Sequence, residues 1–302
     1  MNKSGSMSIY QRGIKDLAGI DISRTSREDL LTMFNDILAA GIHGLCFSVY
    51  LEHQGPGSEI SDLQVEERMQ VIQPYCKWIR SFSCTDGNEK IARIAKKHGI
   101  KTLVGAWLGE DEDKNEEEIA GLIAAARAGY VDIAAVGNEV LLREELAEQK
   151  LIDYIKRVKE AVPDIAVGYV DAYYLFENFP AVSQACDVIL TNCYPFWEGY
   201  DLQHSLLYLK EMYRRAQRAG QGKKVIISET GWPNRGTSFE AAEPSFNNAL
   251  RYFINTYTWA EEESIEVFYF ASFDENWKVD AEGDVGAYWG LWDKNSQLKY
   301  RK

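Results

Sequence analysis

The feature that most constrains this chain is an alternation. Eight short apolar runs, at 44–50, 78–84, 101–108, 130–140, 165–174, 186–196, 224–231 and 266–273, punctuate its 302 residues. They are rich in Val, Ile, Phe and Tyr and nearly continuous in apolarity, as strands buried on both faces must be. Between them lie segments with helical periodicity at 61–76, 88–98, 116–128, 144–161, 202–219 and 245–262, with only a turn or two expected over 175–184. A further helix over 26–40 precedes the first run, with Thr25 and Glu28 at capping-box spacing. Helices are expected to stop at Gly41 and Gly99, each just before an apolar run or its lead-in. Eight βα units within about 260 residues predict an α/β fold of the closed (β/α)8 TIM-barrel kind rather than an open doubly wound sheet. An open sheet would call for a Gly-rich phosphate turn, and neither GxGxxG nor GxxxxGK[ST] occurs. No low-complexity linker interrupts the pattern. The expectation is one catalytic domain over 1–302, with an N-terminal extension and helix at 1–41 and the barrel core at 42–302.

Composition removes several function classes. A net charge of −13 repels phosphate backbones and anionic lipid, so neither nucleic acid nor a membrane surface is an expected partner. The five cysteines (Cys46, Cys76, Cys84, Cys186, Cys193) are odd in number, form no CxxC and sit in or beside apolar runs, which reads as buried thiols. The four histidines are scattered, with no HxH or HExxH, so no metal or other cofactor is expected. In 110–118, Asp111, Asp113 and Asn115 have calcium-loop spacing. However, Glu116 stands where such a loop needs Gly and Leu122 where it needs a bidentate Glu. An acidic helix start is the better reading. The opening MNKSGSMSIYQRG has no apolar core, and no stretch of 18 apolar residues exists. The expectation is a cytoplasmic chain unless a leader has been removed. Nothing in the sequence bears on oligomeric state.

Barrel enzymes carry their chemistry at the C-terminal ends of the strands. The fourth run ends in Val136-Gly-Asn138-Glu139 and the seventh in Ile227-Ser-Glu229-Thr-Gly231-Trp232-Pro233. Each places a glutamate directly after a buried strand, where desolvation costs several kcal/mol unless the charge is paired or used. Partial burial of Glu139 would raise its pKa, which suits a general acid. Gly231 allows a sharp exit from the seventh strand. Two carboxyl groups facing one bowl are what cleavage of a glycosidic bond requires. The eighth run ends in Asp274-Glu275-Asn276-Trp277-Lys278, and Glu275 with Lys278 is expected either to form a buried ion pair or to hold the nucleophile. Aromatics cluster at strand ends: Tyr50, Phe82, Trp107, Tyr173, Tyr194, Trp197, Trp232 and Trp277. Aromatic faces at a rim stack on the C–H faces of sugars, and these residues are expected to bind substrate.

In wording and order, these blocks resemble glycoside hydrolase family 17. VGNEV at 136–140, ISETGWP at 227–233 and FDENWK at 273–278 look like its three signature blocks. WIRSFS at 78–83, NCYPF at 192–196 and YWGLWD at 288–293 look like its second-strand, sixth-strand and closing segments. The likeness spans roughly residues 42–300, and its wording is most similar to bacterial members. It implies a retaining enzyme acting on β-1,3-glucan, either a hydrolase or a β-1,3-glucanosyltransferase. Glu139 would be the proton donor and Glu229 the nucleophile. Asn138 would contact the sugar 2-hydroxyl, Glu275 and Lys278 would form an auxiliary pair near the nucleophile, and Tyr194 would line the bowl. Phe82 departs from the family's frequent Tyr, which removes a hydroxyl from the cleft. The helix at about 20–40 lies outside the block pattern, and the secretion signal typical of plant and fungal members is missing. A non-catalytic glucan-binding barrel is expected to have lost a carboxylate, and both are present.

Overall fold

Strands buried on both faces have no solvent edge to offer, and here they close on one another. The computed structural model describes Gly19 and residues 21–301. The expected extension at 1–18, with residue 20, lies outside the described residues. Helix α1 (Arg27–Ala40) leads into β1 (Ile42–Cys46), α2 (Asp62–Ile72), β2 (Cys76–Ser81), α3 (Glu89–Lys97), β3 (Lys101–Ala106), α4 (Glu112–Arg127) and β4 (Ile133–Asn138). The second half continues as α5 (Glu148–Ala161), β5 (Ala166–Ala172), two short helices α6 (Leu175–Asn178) and α7 (Pro180–Ala185), β6 (Val188–Asn192), α8 (Leu202–Gly220), β7 (Lys224–Thr230), α9 (Phe246–Glu262), β8 (Val267–Tyr269) and α10 (Val279–Glu282). Consecutive strands pair in parallel, and β8 returns to β1 through Gly44 opposite Phe268 and Leu45 opposite Tyr269. The eight apolar runs are therefore the eight strands of a TIM barrel.

The packing follows from the pattern. Every residue of β4, β6 and β8 is buried. On α5 the buried residues Leu151, Ile152, Tyr154, Ile155 and Val158 recur at helical spacing and face the sheet. Each aliphatic side chain buried in this way contributes about 1.5–3 kcal/mol. Helix α1 seals against α9, with the Phe34 ring centred 4.6 Å from Phe253 and 4.9 Å from Tyr300, tilted against both. Gly41 and Gly99 follow α1 and α3 with φ of +84° and +74°, as helix-stopping glycines do.

Element ends differ from expectation for local reasons. The cap of α1 is Ser26 rather than Thr25: its hydroxyl accepts the Asp29 amide at 3.1 Å. Helix α4 begins at Glu112 because Asp111 caps it, accepting from the Lys114 amide at 3.1 Å. Asn115 turns inward to bond both backbone groups of Gly109, at 2.7 and 2.8 Å, so the calcium-like spacing belongs to a helix start. Strand β8 is only three residues long. The rest of its apolar run is covered by the closing segment, where Leu291 donates to the Ala271 carbonyl and Trp292 to that of Ser272. All five cysteines are buried and free. Among the described residues no helix is long and apolar enough to cross a membrane.

Strand register slips at three places: between Ala135 and Asn138 on β4, Thr191 and Asn192 on β6, and Ile227 and Thr230 on β7. All three lie at C-terminal ends. Such irregularities re-aim side chains, and these flank the two glutamates.

Candidate active site

Glu139 follows β4 in a left-handed conformation, with φ of +53°. A non-glycine residue there is uncommon and is held by its surroundings. Its amide donates to the Val170 carbonyl at 2.8 Å, and its own carbonyl accepts from the Arg143 amide at 2.9 Å. One carboxyl oxygen accepts from Asn192 Nδ2 at 2.8 Å. Ser228 Oγ donates to Asn192 Oδ1 at 2.8 Å, which fixes which way that amide points. Burial, then the charge of Glu229, push the Glu139 carboxyl up to about 7, against the Asn192 hydrogen bond. A group with that pKa holds its proton near neutrality and still releases it readily.

Glu229 sits within β7 and is buried. Both its oxygens are held: Arg80 forms an ion pair with one, and the Tyr194 hydroxyl donates to the other at 2.7 Å. Arg80, itself 1% exposed, also donates from Nη2 to Asn138 Oδ1 at 2.7 Å and lies 4.3 Å over the Phe82 ring. One guanidinium fork thus ties β2 to the ends of β4 and β7. Arg80 balances the charge of a carboxylate whose burial would otherwise be costly.

The two glutamates open onto one cleft of about 310 Å³, shared with Tyr173, Tyr194, Trp197, Phe270 and Glu282. Three of the expected aromatics, Tyr173, Tyr194 and Trp197, are therefore on its wall. A second group lies where β1 meets β8. Tyr50 and Trp277 meet edge to face at 5.8 Å, and Trp277 Nε1 donates to Glu275 at 3.0 Å. Glu275 pairs with Lys278 and accepts from Ser48. The buried ion pair is thus present, but the partners of Glu229 are Arg80 and Tyr194. The Lys278 ammonium stands 4.0 Å from the Phe270 ring on the cleft wall, and its charge also acts on Glu282 there. Phe82 packs beneath Arg80 and edge-on to Phe270. Trp107 is 42% exposed, with the Arg143 guanidinium 4.8 Å over one face.

Trp232 departs from its expected rim position. It is 1% exposed, wedged between Phe196 and Tyr252, and its Nε1 donates to the Glu243 carbonyl at 3.0 Å. Its ring has no face free for a sugar. Gly231 also works differently from the exit turn expected of it: a Cβ there would lie 2.1 Å from the Phe270 carbonyl oxygen, so glycine permits β7 and the end of β8 to touch.

Asn192, Phe270 and Glu282 are among the cleft residues that were not singled out from sequence, and Arg80, buried beside Glu229, was not either. Arg80 had a signal, a full charge inside an apolar run. Asn192, at the end of the sixth strand, had a weaker one. Phe270 looked like core. Glu282 had none, since it lies beyond the last strand. It accepts from Trp289 Nε1 at 2.9 Å, and burial pushes it up to about 7. Among the described residues no three His, Cys, Asp or Glu side chains are grouped to hold a metal ion.

The chain is similar to several known proteins. The model of the BtgE/BtgC glycoside hydrolase domain matches residues 44–290. A glucan 1,3-beta-glucosidase of Saccharomyces cerevisiae is 27% identical over 287 residues, covering 86% of this chain and 91% of its own. The glucan 1,3-beta-glucosidase BGL2 of Candida albicans is 24% identical over 298 residues, covering 90% and 95%. Among solved structures, a glycoside hydrolase family 17 beta-1,3-glucanosyltransferase from Rhizomucor miehei superposes with a TM-score of 0.79 at 28% identity, covering 87% of this chain and 98% of that one. An active-site mutant of the Rhizomucor miehei beta-1,3-glucanosyltransferase in complex with laminaritriose gives a TM-score of 0.78 at 27% identity, with the same coverage. These relatives are fungal, so the expected bacterial affinity finds no support in them. With the domain match running from β1 to the closing segment, the chain belongs to the BtgE/BtgC glycoside hydrolase family, a group of β-1,3-glucan hydrolases and glucanosyltransferases.

Proposed function

We propose that the chain hydrolyses β-1,3-glucan with retention, Glu229 acting as nucleophile and Glu139 as acid/base. One observation carries the reading: two carboxyl groups share a cleft in opposite environments. Glu139 is held near a pKa of about 7 by burial and by its partner's charge. Glu229 has both oxygens fixed by Arg80 and Tyr194. Such a split in environment divides an acid from a nucleophile. In the first step a Glu229 oxygen bonds the anomeric carbon as the glycosidic bond breaks, and the Glu139 proton passes to the leaving oxygen. In the second, Glu139 takes a proton from water, the oxygen of that water bonds the same carbon, and the bond to Glu229 breaks. Asn138, its Oδ1 occupied by Arg80, keeps its Nδ2 hydrogens for the sugar 2-hydroxyl. Tyr173, Tyr194 and Trp197 supply stacking surface. The anomer first formed from laminari-oligosaccharide, read by proton NMR, tests retention. The β anomer is expected, and the α anomer would contradict it.

A second reading uses the same residues but gives the glycosyl unit to a sugar hydroxyl. The likeness to solved β-1,3-glucanosyltransferases at 27–28% identity favours it. Chromatography of products decides between the two. Oligosaccharides longer than the one supplied mark transfer, and shorter ones alone mark hydrolysis.

A further inference from the structure

The cleft chemistry leaves several buried carboxylates unused, and one of them lies beside the loop of Glu139. Asp171, on β5, is 0% exposed. It does not line the cleft but lies under the loop that carries Glu139. Its Oδ2 accepts from the Tyr169 hydroxyl, and its Oδ1 accepts from the Ala172 amide at 2.7 Å. The Leu142 amide also bonds it. The same Tyr169 hydroxyl accepts from the Leu141 amide at 3.0 Å. Two successive amides of the β4 loop, at Leu141 and Leu142, are therefore tied to one Tyr–Asp pair on the neighbouring strand. Just before them Glu139 adopts its left-handed backbone, and its amide is tied to β5 through the Val170 carbonyl. A buried aspartate is costly, and its hydrogen bonds here are spent on holding that loop.

We propose that Asp171 and Tyr169 are positioning residues for Glu139, fixing the loop that aims its carboxyl into the cleft and placing a negative charge beneath it. This rests on the reading of Glu139 as acid/base. The charged and titratable groups around that carboxyl include Glu229 from β7, Tyr169, Asp171 and Tyr174 from β5 and its exit, Arg143 from the loop before α5, and Tyr194 after β6. Glu229 and Asp171 favour the protonated form, whereas Arg143 and the Asn192 hydrogen bond oppose it. Burial pushes Asp171 itself up to about 6, so it is charged where the alkaline limb of activity falls.

The experiment compares Asp171→Asn, Tyr169→Phe and Glu139→Gln in the full chain. Each is assayed on laminari-oligosaccharide and on a dinitrophenyl β-laminaribioside, whose leaving group needs no proton. Glu139→Gln should fail on the first substrate and release about one dinitrophenolate per chain in a fast burst on the second, followed by slow turnover because the second step still needs the base. If it works normally on both, the reading of Glu139 fails and the proposal falls with it. Given that control, Asp171→Asn should lower kcat on the oligosaccharide about 10- to 100-fold with KM little changed, as a misplaced catalytic group does. Its alkaline limb should move to lower pH by about half a unit, because a charge that disfavours ionised Glu139 has gone. Tyr169→Phe should lower kcat without that downward move, since Asp171 keeps its charge, and it answers the positioning half of the proposal should Asp171→Asn not fold. Wild-type kcat and an unmoved limb in Asp171→Asn, or wild-type kcat in Tyr169→Phe, would overturn the proposal.

Discussion

Arg80 shows how much one side chain can settle. Its fork reaches Glu229 and Asn138 together, and it is buried. Arg80→Met should cost about 3–5 kcal/mol in denaturant unfolding, because Glu229 is left as an uncompensated buried charge. Arg80→Lys should recover part of the stability but not the activity, since a point charge cannot hold two acceptors in the plane of a fork. Asn192 makes a different test. Its amide bonds Glu139 at 2.8 Å, an interaction that favours the ionised form. Asn192→Ala removes it, so the pKa of Glu139 rises and the alkaline limb of kcat should move to higher pH, opposite to Asp171→Asn. An unmoved limb would separate Glu139 from the proton that titrates.

At the scale of elements, the contact between β7 and the end of β8 depends on a missing side chain. A Cβ on Gly231 would meet the Phe270 carbonyl oxygen at 2.1 Å. Gly231→Ala should destabilise by about 1–3 kcal/mol through forced backbone shifts and lower kcat, because Glu229 lies two residues away. A wild-type melting temperature would show that this contact is slack. The same elements show what could be read from sequence. Strands announce themselves when buried on both faces, and the C-terminal ends of β4 and β7 carried Asn138, Glu139 and Glu229 in recognisable places. Trp232 was misjudged because polar neighbours in sequence do not reveal that a ring turns back between Phe196 and Tyr252. The Glu275–Lys278 pair was anticipated, but the pairing of Glu229 with Arg80 from β2 was not, because that contact is far apart in the chain. Strand β8 was over-read because an apolar run covered by residues 289–293 looks the same as a strand.

The whole molecule stores several carboxyl groups where protonation favours the fold. Burial is the leading cause that raises Glu139 and Glu282 to about 7 and Asp171 to about 6. Each folded carboxyl then binds its proton more tightly than the unfolded chain does. Their contribution is full below the unfolded pKa and is lost as pH climbs from about 4 to about 7. His43, held down by burial, acts in the opposite sense. The melting temperature should therefore fall by several degrees between about pH 5 and about pH 8. Glu139→Gln, which cannot titrate, should show a shallower fall, and an equal slope would mean that Glu139 titrates alike folded and unfolded. Glu139 follows β4, Asp171 lies on β5 and Glu282 on α10 beyond β8, and closure of the barrel brings these elements together.

The central claim is that Glu229 forms a bond to the sugar. The most direct measurement is peptide mass mapping after incubation with a 2-deoxy-2-fluoro-laminaribiosyl fluoride, whose 2-fluorine slows both steps while its anomeric fluoride leaves readily, so the intermediate forms faster than it breaks down. The account requires one glycosyl adduct per chain, on the peptide containing Glu229, and none in Glu229→Ala. An adduct on another residue, or turnover of this reagent with inversion and no adduct, would contradict it.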